Sequence, residues 1–387
     1  MQSSVPTANR SARRALLAAG AALGVLLAAG CGGTKEPGAV WQPGGGTDAS
    51  GSPLPGASAD QPAAREPISL SATGDIIMGN APSRLPANGG KGFFDEVADA
   101  LSADLVMGNL EEPLTEDTGA GKCGPNSTAC YQFRAPPGYA AHLRDAGFHL
   151  LNQANNHGHD YGPQGYANTQ KALDEHGLKH TGAPDQITVV DVKGVKVAVA
   201  GFSSYAWSNS LTDIDAATAV VKRAATMADI VVVQVHMGAE GADKTRVRPG
   251  TEIFYGENRG DPVKFSHAVI EAGADLVVGH GPHVLRGMEF HQGRLIAYSL
   301  GNFAGGGRSL NPSGRLGWGG VLKVSLRPDG SFADGSFTST RMNSVGKPTM
   351  DTGRQGLGLV RQLSRSDFPS TGAGFDPDGT ISAPEAG

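Results

Sequence analysis

Between Glu66 and Gly346 the chain alternates short apolar runs with amphipathic stretches, and this rhythm predicts a β-α-β order. The runs at 68–75, 103–111, 150–157, 229–236 and 274–283 read as strands. Residues 93–101, 137–147, 165–176, 214–227 and 262–273 carry helical spacing, and Gly147, Gly177 and Gly273 stand where C-caps belong. After Gly279 the pattern changes. Strands at 284–290, 294–299, 320–326 and 331–340 are joined by hairpin turns at His291-Gln292-Gly293 and Pro328-Asp329-Gly330, so an antiparallel section closes the domain.

Each of the five leading strands ends in a residue able to bind or orient a divalent cation: Asp75, Glu111, Asn156 with His157, His236, and His280 with His283. In an open parallel sheet the carboxyl ends of the strands face one crevice, so these distant side chains are expected to converge. Oxygen and imidazole donors of this kind suit one or two metal ions.

Taken singly, the motifs differ in weight. Gly74-Asp75 is also a common turn, and Glu111-Glu112 also fits a solvated loop. Asn155-Asn156-His157 is stronger, because a strand ending in two amides and an imidazole gains nothing in packing. An Asn oxygen can hold a hard cation, with His157 beside it as proton donor. Asp160 suits either the N-cap of the next helix or a partner orienting an imidazole. His159 fits an exposed loop residue. His236 with Glu240 fits a ligand with a supporting carboxylate, or else a satisfied core histidine. Gly279-His280-Gly281-Pro282-His283 places two imidazoles across a stiff turn. His142, His149, His176, His180, His267 and His291 fall in helices, strand starts or turns and are not expected to be ligands.

Composition refines this picture at the ends. The 387 residues hold 57 Gly and 24 Pro, which crowd into the termini and a few loops. A net charge of −5 argues against a nucleic-acid partner. Arg10, Arg13 and Arg14, the apolar stretch 15–29 and Ala28-Ala29-Gly30 before Cys31 form a targeting segment over residues 1–31 that resembles a bacterial lipoprotein signal. A plain secretory signal with an incidental Cys31 is the alternative, and Arg13-Arg14 also resembles a twin-arginine export signal. Lipidation at Cys31 would place the protein outside the cytoplasm, anchored to the cell membrane. Residues 32–66 read as a flexible tether and 347–387 as a disordered tail with room for a short helix at 357–363. Cys123 and Cys130 fit a disulfide that pins a polar loop, or half of a thiolate metal site.

Gly74-Asp75, Asn109-Leu110-Glu111, Ala154-Asn155-Asn156-His157 with Asp160 and Gly162, His236-x-Gly238-x-Glu240, Gly279-His280-x-Pro282-His283-Val284 and Tyr298-Ser299-Leu300-Gly301-Asn302-Phe303 together resemble the CapA-type poly-γ-glutamate capsule biosynthesis family, a branch of the calcineurin-like metallophosphoesterases. The resemblance spans about residues 67 to 342 of a domain set at 67–346. It implies a four-layer α/β/β/α sandwich. Asp75, Glu111, Asn156, His236, His280 and His283 would hold one or two ions of manganese, iron or zinc, with His157 as the acid and Asn155, Asp160, Glu240 and Asn302 in support. The implied role is metal-dependent hydrolysis in poly-γ-glutamate capsule biosynthesis or turnover. The alternative is a non-catalytic scaffold, or a polymer-binding component of a synthesis or export complex. Implied partners are poly-γ-glutamate or another anionic envelope polymer, membrane synthetase subunits and the membrane itself.

Three departures from the wider phosphoesterase pattern and one, at Met237, from the family itself stand out. Ile77 occupies the place of a ligand His, Glu111 replaces Asp, the final imidazoles are three residues apart, and Met237 stands where Trp is frequent. The first leaves one of two cations short of a ligand. Residues 241–261 look inserted, and Lys244, Arg246, Arg248 and Arg259 within them read as a solvated loop or as contacts for a polyanion.

Overall fold

The computed structural model describes residues 65–124, 127 and 130–384. The expected signal segment, Cys31 and all but the last two residues of the tether lie outside the described residues. No described helix is long and apolar enough to cross a membrane.

Four strands, β1 (Ile68–Ile77), β2 (Leu105–Leu110), β3 (Leu150–Asn152) and β4 (Lys179–Thr181), run parallel as neighbours in one sheet. A second sheet takes β5 (Thr188–Val192), β6 (Val195–Ser203), β7 (Asn209–Ser210) and β8 (Ile230–His236). After a small ribbon of β9 (Ile253–Phe254) and β10 (Glu257–Asn258), that sheet gains β11 (Leu276–His280), β12 (Met288–His291) and β13 (Arg294–Ala297). The chain then returns to the first sheet with β14 (Asn302–Gly305), β15 (Trp318–Leu326), β16 (Phe332–Met342) and β17 (Pro348–Met350). The hairpins β12–β13 and β15–β16 confirm both predicted turns.

Period-two alternation decides which layer each side chain enters. Ile68 and Leu70 of β1, Leu105 and Met107 of β2, Val197 and Val199 of β6, Ile230 and Val232 of β8, and Leu276 and Val278 of β11 share one core between the two sheets. Their neighbours in sequence face outward. Val106 and Leu110 pack with Leu101 of α1 (Ala98–Leu101), Leu143 of α2 (Ala140–Asp145) and Leu173 of α3 (Gly162–Glu175). Val231, Val233 and Val277 pack with Val221 of α4 (Ile214–Ala225) and Phe265 and Val269 of α5 (Pro262–Glu271). Helix, sheet, sheet and helix are therefore four layers in contact. Asp213 and Asp261 start the two outer helices by accepting from Ala216 N and Lys264 N at 3.0 Å each.

The expectation of a disordered tail from residue 347 is overturned as far as residue 384. That segment forms β17, α6 (Gln355–Asp367) and a hairpin of β18 (Gly374–Phe375) and β19 (Ile381–Ser382). Leu357 and Val360 enter the core between the sheets, and Phe368 stacks on Tyr298 with ring centroids 5.1 Å apart. Gly and Ser lower the mean apolarity of this segment, but Leu357, Val360 and Leu363 on one face of α6 are enough to bury it. Asp351 Oδ2 accepts from Gly356 N at 2.8 Å and Ser339 Oγ at 3.1 Å, tying the start of α6 to β16.

Candidate metal centre

Strand ends bring the site together. β1 carries Asp75 to its tip, where Gly74 admits the returning chain: a Cβ there would lie 1.9 Å from Gly301 O. This close approach lets β14 pair beside Asp75, with Asn302 as the register partner. β2 ends one residue before Glu111. β3 is shorter than the 150–157 run predicted, so Asn155, Asn156 and His157 sit on the loop beyond Asn152. His236 and His280 are register partners at the ends of β8 and β11, and a Cβ at Gly281 would lie 3.1 Å from the His236 ring. His283 lies in the following turn at φ 59°.

Asp75, Glu111 and His283 each offer a ligand atom, and those atoms all lie within 4.8 Å of one another. His280 Nδ1 is 3.7 Å from Asp75 Oδ1, and His236 Nε2 is 3.9 Å from Glu111 Oε1. Asn156 donates to Glu240 Oε1 at 3.3 Å, and Glu240 Oε2 is 3.7 Å from His283 Nε2. All six residues expected as ligands therefore fall in one cluster.

The cluster lacks internal satisfaction. Both Glu111 carboxylate oxygens, Asn156 Oδ1 and both ring nitrogens of His236 and of His280 are buried with no hydrogen-bond partner, and Asp75 Oδ2 has His283 Nδ1 at 3.1 Å. Buried polar atoms are ordinarily paired, and an isolated buried charge is costly. Hard oxygens and neutral imidazoles gathered in one buried cluster are the donor set a divalent cation takes. The residues fit such an ion.

Electrostatics agree with the geometry. Burial pushes Glu111 up, and the charges of Asp75 and Glu240 add to it, so its carboxyl lies well above the usual range. Burial also favours a neutral Asp75, but His283, His280 and His236 outweigh it and hold this carboxyl low. Burial depresses His280 to about 4 and His236 well below its ordinary value, leaving neutral rings with lone pairs to offer. His283 goes the other way. Despite burial, Glu111, Asp75 and Glu240 hold it well above the ordinary histidine value. Asn302 Nδ2 donates to Leu316 O at 2.9 Å, so its Oδ1 faces and accepts from His283 Nδ1 at 2.8 Å. His283 Nε2 is left toward Glu111.

A second group stands beside the cluster. His157 Nδ1 bonds Asp160 Oδ2 at 2.7 Å, and Asp160 also accepts from Phe133 N at 2.8 Å and Lys122 Nζ at 2.9 Å. Asp160 thus orients the imidazole; α3 is preceded by Tyr161 and has no side-chain cap. Burial lowers the His157 pKa against the pull of Asp160. Asn155 does not reach the cluster. Its Nδ2 donates to Asn109 Oδ1 at 3.2 Å and Leu110 O at 2.9 Å, and Asn109 in turn donates to Asp75 Oδ1 at 2.8 Å.

Several partners escaped the sequence reading. Asn109 entered only as part of a motif, and Lys122 and Trp207 carried no signal at all. Trp207 donates to Asn155 O at 3.0 Å and stacks on His159 with centroids 4.7 Å apart, so His159 is a packed residue. Arg259, read with a solvated loop, is 3% exposed and bonds Glu240 at 2.9 Å and Glu257 at 3.0 Å. Within that loop Arg246 pairs with Asp367 and Lys244 with Asp243. Ile77 is fully buried beside the site and offers no donor. Cys123 and Cys130 form a disulfide with Cα atoms 5.6 Å apart, which resolves the two readings of that pair and places Lys122 next to the bridge.

Four contacting layers with an Asp, Glu, Asn and His cluster at the strand ends define a four-layer α/β/β/α sandwich with a candidate metal centre. The family model described as "Bacterial capsule synthesis protein PGA_cap" matches residues 69–306, more than half of the chain. The chain belongs to that family. It is 31% identical over 261 residues to the capsule biosynthesis protein CapA of Bacillus anthracis, covering 62% of this chain and 60% of that one. It is 29% identical over 256 residues to the PGA biosynthesis protein CapA of Bacillus subtilis (strain 168), covering 61% and 63% respectively. The match thus spans about three fifths of the length of these relatives. Among solved structures, a 5'-nucleotidase precursor from Thermus thermophilus is similar with TM-score 0.39 and 15% identity over 76% of this chain and 58% of that one.

Proposed function

We propose that this protein is a membrane-anchored, metal-dependent hydrolase of poly-γ-glutamate capsule biosynthesis or turnover. The single observation that carries the reading is the set of buried, unpartnered donors from Glu111, Asn156, His236 and His280 gathered around the Asp75, Glu111 and His283 cluster. A bound divalent cation of manganese, iron or zinc would supply Lewis acidity and an acidified water. Asp75, Glu111, Asn156, His236, His280 and His283 would hold it, and Asn302 and Glu240 would orient the His283 ring. Asp160 holds His157 by Nδ1, which leaves Nε2 to hold a proton for the leaving group. The bond broken is a phosphoester or the γ-amide link of a polyglutamate chain. Export and lipidation at Cys31 belong to the same proposal and rest on the Ala28-Ala29-Gly30-Cys31 pattern.

Protein loaded with manganese, zinc or iron should hydrolyse a generic phosphodiester or poly-γ-glutamate. Inactivity on both, with each metal bound, refutes the hydrolase. Ile77 favours a second reading, a non-catalytic polymer-binding component, because it removes a donor from the expected ligand set. A His157→Ala variant that restores capsule polymer to a strain lacking this protein would establish that second reading.

A further inference from the structure

The cleft over the metal centre, about 380 Å³, is poorly equipped to receive a polyanion. His157, Glu240, His283 and Asn302 line it together with Tyr131 and Phe254, and its lining contains no Lys or Arg. A second cavity has the opposite character. It measures about 580 Å³, within the range of ligand sites, and Arg84, Lys91, Arg308 and Lys347 line it without any carboxylate.

These cations are available. Lys347 pairs with Glu96 at 3.2 Å, but Arg84, Lys91 and Arg308 are exposed and have no carboxylate partner among the described residues. Three unpaired cations around one hollow are unexpected on a chain of net charge −5, where acidic groups outnumber basic ones. Its walls are also held in uncommon backbone conformations, with Asn88 at φ 54° and Arg308 at φ 59°.

The two cavities meet along one stretch of chain. Gly307 and Arg308 line the basic cavity, whereas Ser309, Leu310 and Asn311 line the metal cleft. Ser309 Oγ donates to the carbonyl of Ile77 at 3.1 Å, pinning this stretch to the tip of β1. Arg308 and Asn311 are three residues apart, so their Cα atoms are within about 11 Å. A few repeats of an extended polymer cover that distance.

We propose that the cavity lined by Arg84, Lys91 and Arg308 is an exosite for a polymer bearing a carboxylate on each repeat. It takes the charge of poly-γ-glutamate and leads the chain across residues 307–311 to the metal centre. This rests on the reading that the domain handles that polymer. The division of labour is electrostatic: the basic cavity supplies affinity, and the cleft, without Lys or Arg of its own, leaves the bond to be cut beside the metal ligands.

The test uses end-labelled poly-γ-glutamate, the full chain, and the triple variant Arg84→Glu, Lys91→Glu, Arg308→Glu beside a neutral triple variant to Gln. Wild type should bind the polymer with an affinity that falls as sodium chloride rises. The Glu triple should bind about tenfold or more weakly and the Gln triple in between, both with an unchanged melting temperature. Manganese-dependent turnover of a small phosphodiester should be the same in all three. Equal polymer affinity in wild type and both variants overturns the exosite, as does tighter binding of a polyphosphate of matched charge. Absence of polymer binding in wild type also overturns it, and small-substrate turnover in the same sample reports separately on the metal centre.

Discussion

Replacing Glu111 by Gln should separate the two states of the metal centre by the sign of its effect. In chelated protein Glu111 is buried, neither carboxylate oxygen has a donor, and the ligand atoms of Asp75 and Glu111 lie within 4.8 Å of each other. Ionising both carboxyls at that separation would cost about 3 to 4 kcal/mol at an effective dielectric constant of about 20. His283, kept protonated by the same carboxylates, offsets part of this. Glu111 therefore keeps a proton in the chelated state, and the equally neutral Gln should leave the chelated variant as stable as wild type or more so. With manganese the order reverses. Saturation at about a hundred times Kd adds about 2.7 kcal/mol, or about 5 to 10 °C of melting temperature, and a variant lacking one anionic ligand should gain far less. Scanning calorimetry with EDTA and with manganese reads both effects.

The same experiment has a pH arm. Glu111 has a raised folded pKa, so the chelated native state keeps a proton that the unfolded chain releases. Its contribution is full below the ordinary glutamate value and is lost as pH rises through the raised one. Chelated wild type should lose stability over that interval, whereas Glu111→Gln should not lose this contribution. A variant that melts several degrees below wild type in EDTA, or gains as much from manganese, would refute the assignment of Glu111 as a charged ligand.

Asp160→Asn should lower turnover by about a hundredfold or more while leaving the manganese-induced rise in melting temperature intact, because Asp160 orients His157 and touches no expected ligand atom; unchanged turnover would remove His157 from the proton role. Cys123→Ser with Cys130→Ser should cost about 2 to 3 kcal/mol by chain-entropy reasoning and raise hydrogen exchange around residues 115–134, with metal content unchanged. Loss of metal in that variant would mean that the loop, through Lys122 and Asp160, helps to build the centre itself.

The strand-end residues were legible because their signal is local. A buried strand announces itself by a few consecutive apolar positions, and a polar residue at its end has no packing reason to be there. Asp75, Glu111, Asn156, His236, His280 and His283 all met this condition, and the structure gathers all six. Asp160 was legible only as two alternatives, which its contact with His157 decides. Arg259 was misread for a physical reason. A lone arginine in a polar insertion is ordinarily solvated, and only the arrival of Glu240 and Glu257 on both sides makes its burial tolerable. The C-terminal segment was misread because its Gly, Ser and Asp content hid the narrow apolar face of α6.

The amino-acid sequence by itself determined which residues alternate, where helices are capped and which polar groups stand at strand ends, since these depend on neighbours a few positions away. Only the tertiary structure decided that Asn302 lies beside Asp75, 227 positions earlier, and that His283 is held between Asn302 and Glu111. Pairings of that kind depend on sheet order and on the close passage of Gly301 over Gly74, and no local pattern encodes them. The unpartnered state of the ligand atoms is likewise a property of the assembled layers, because burial removes water from every donor at once and leaves a cation as their natural partner.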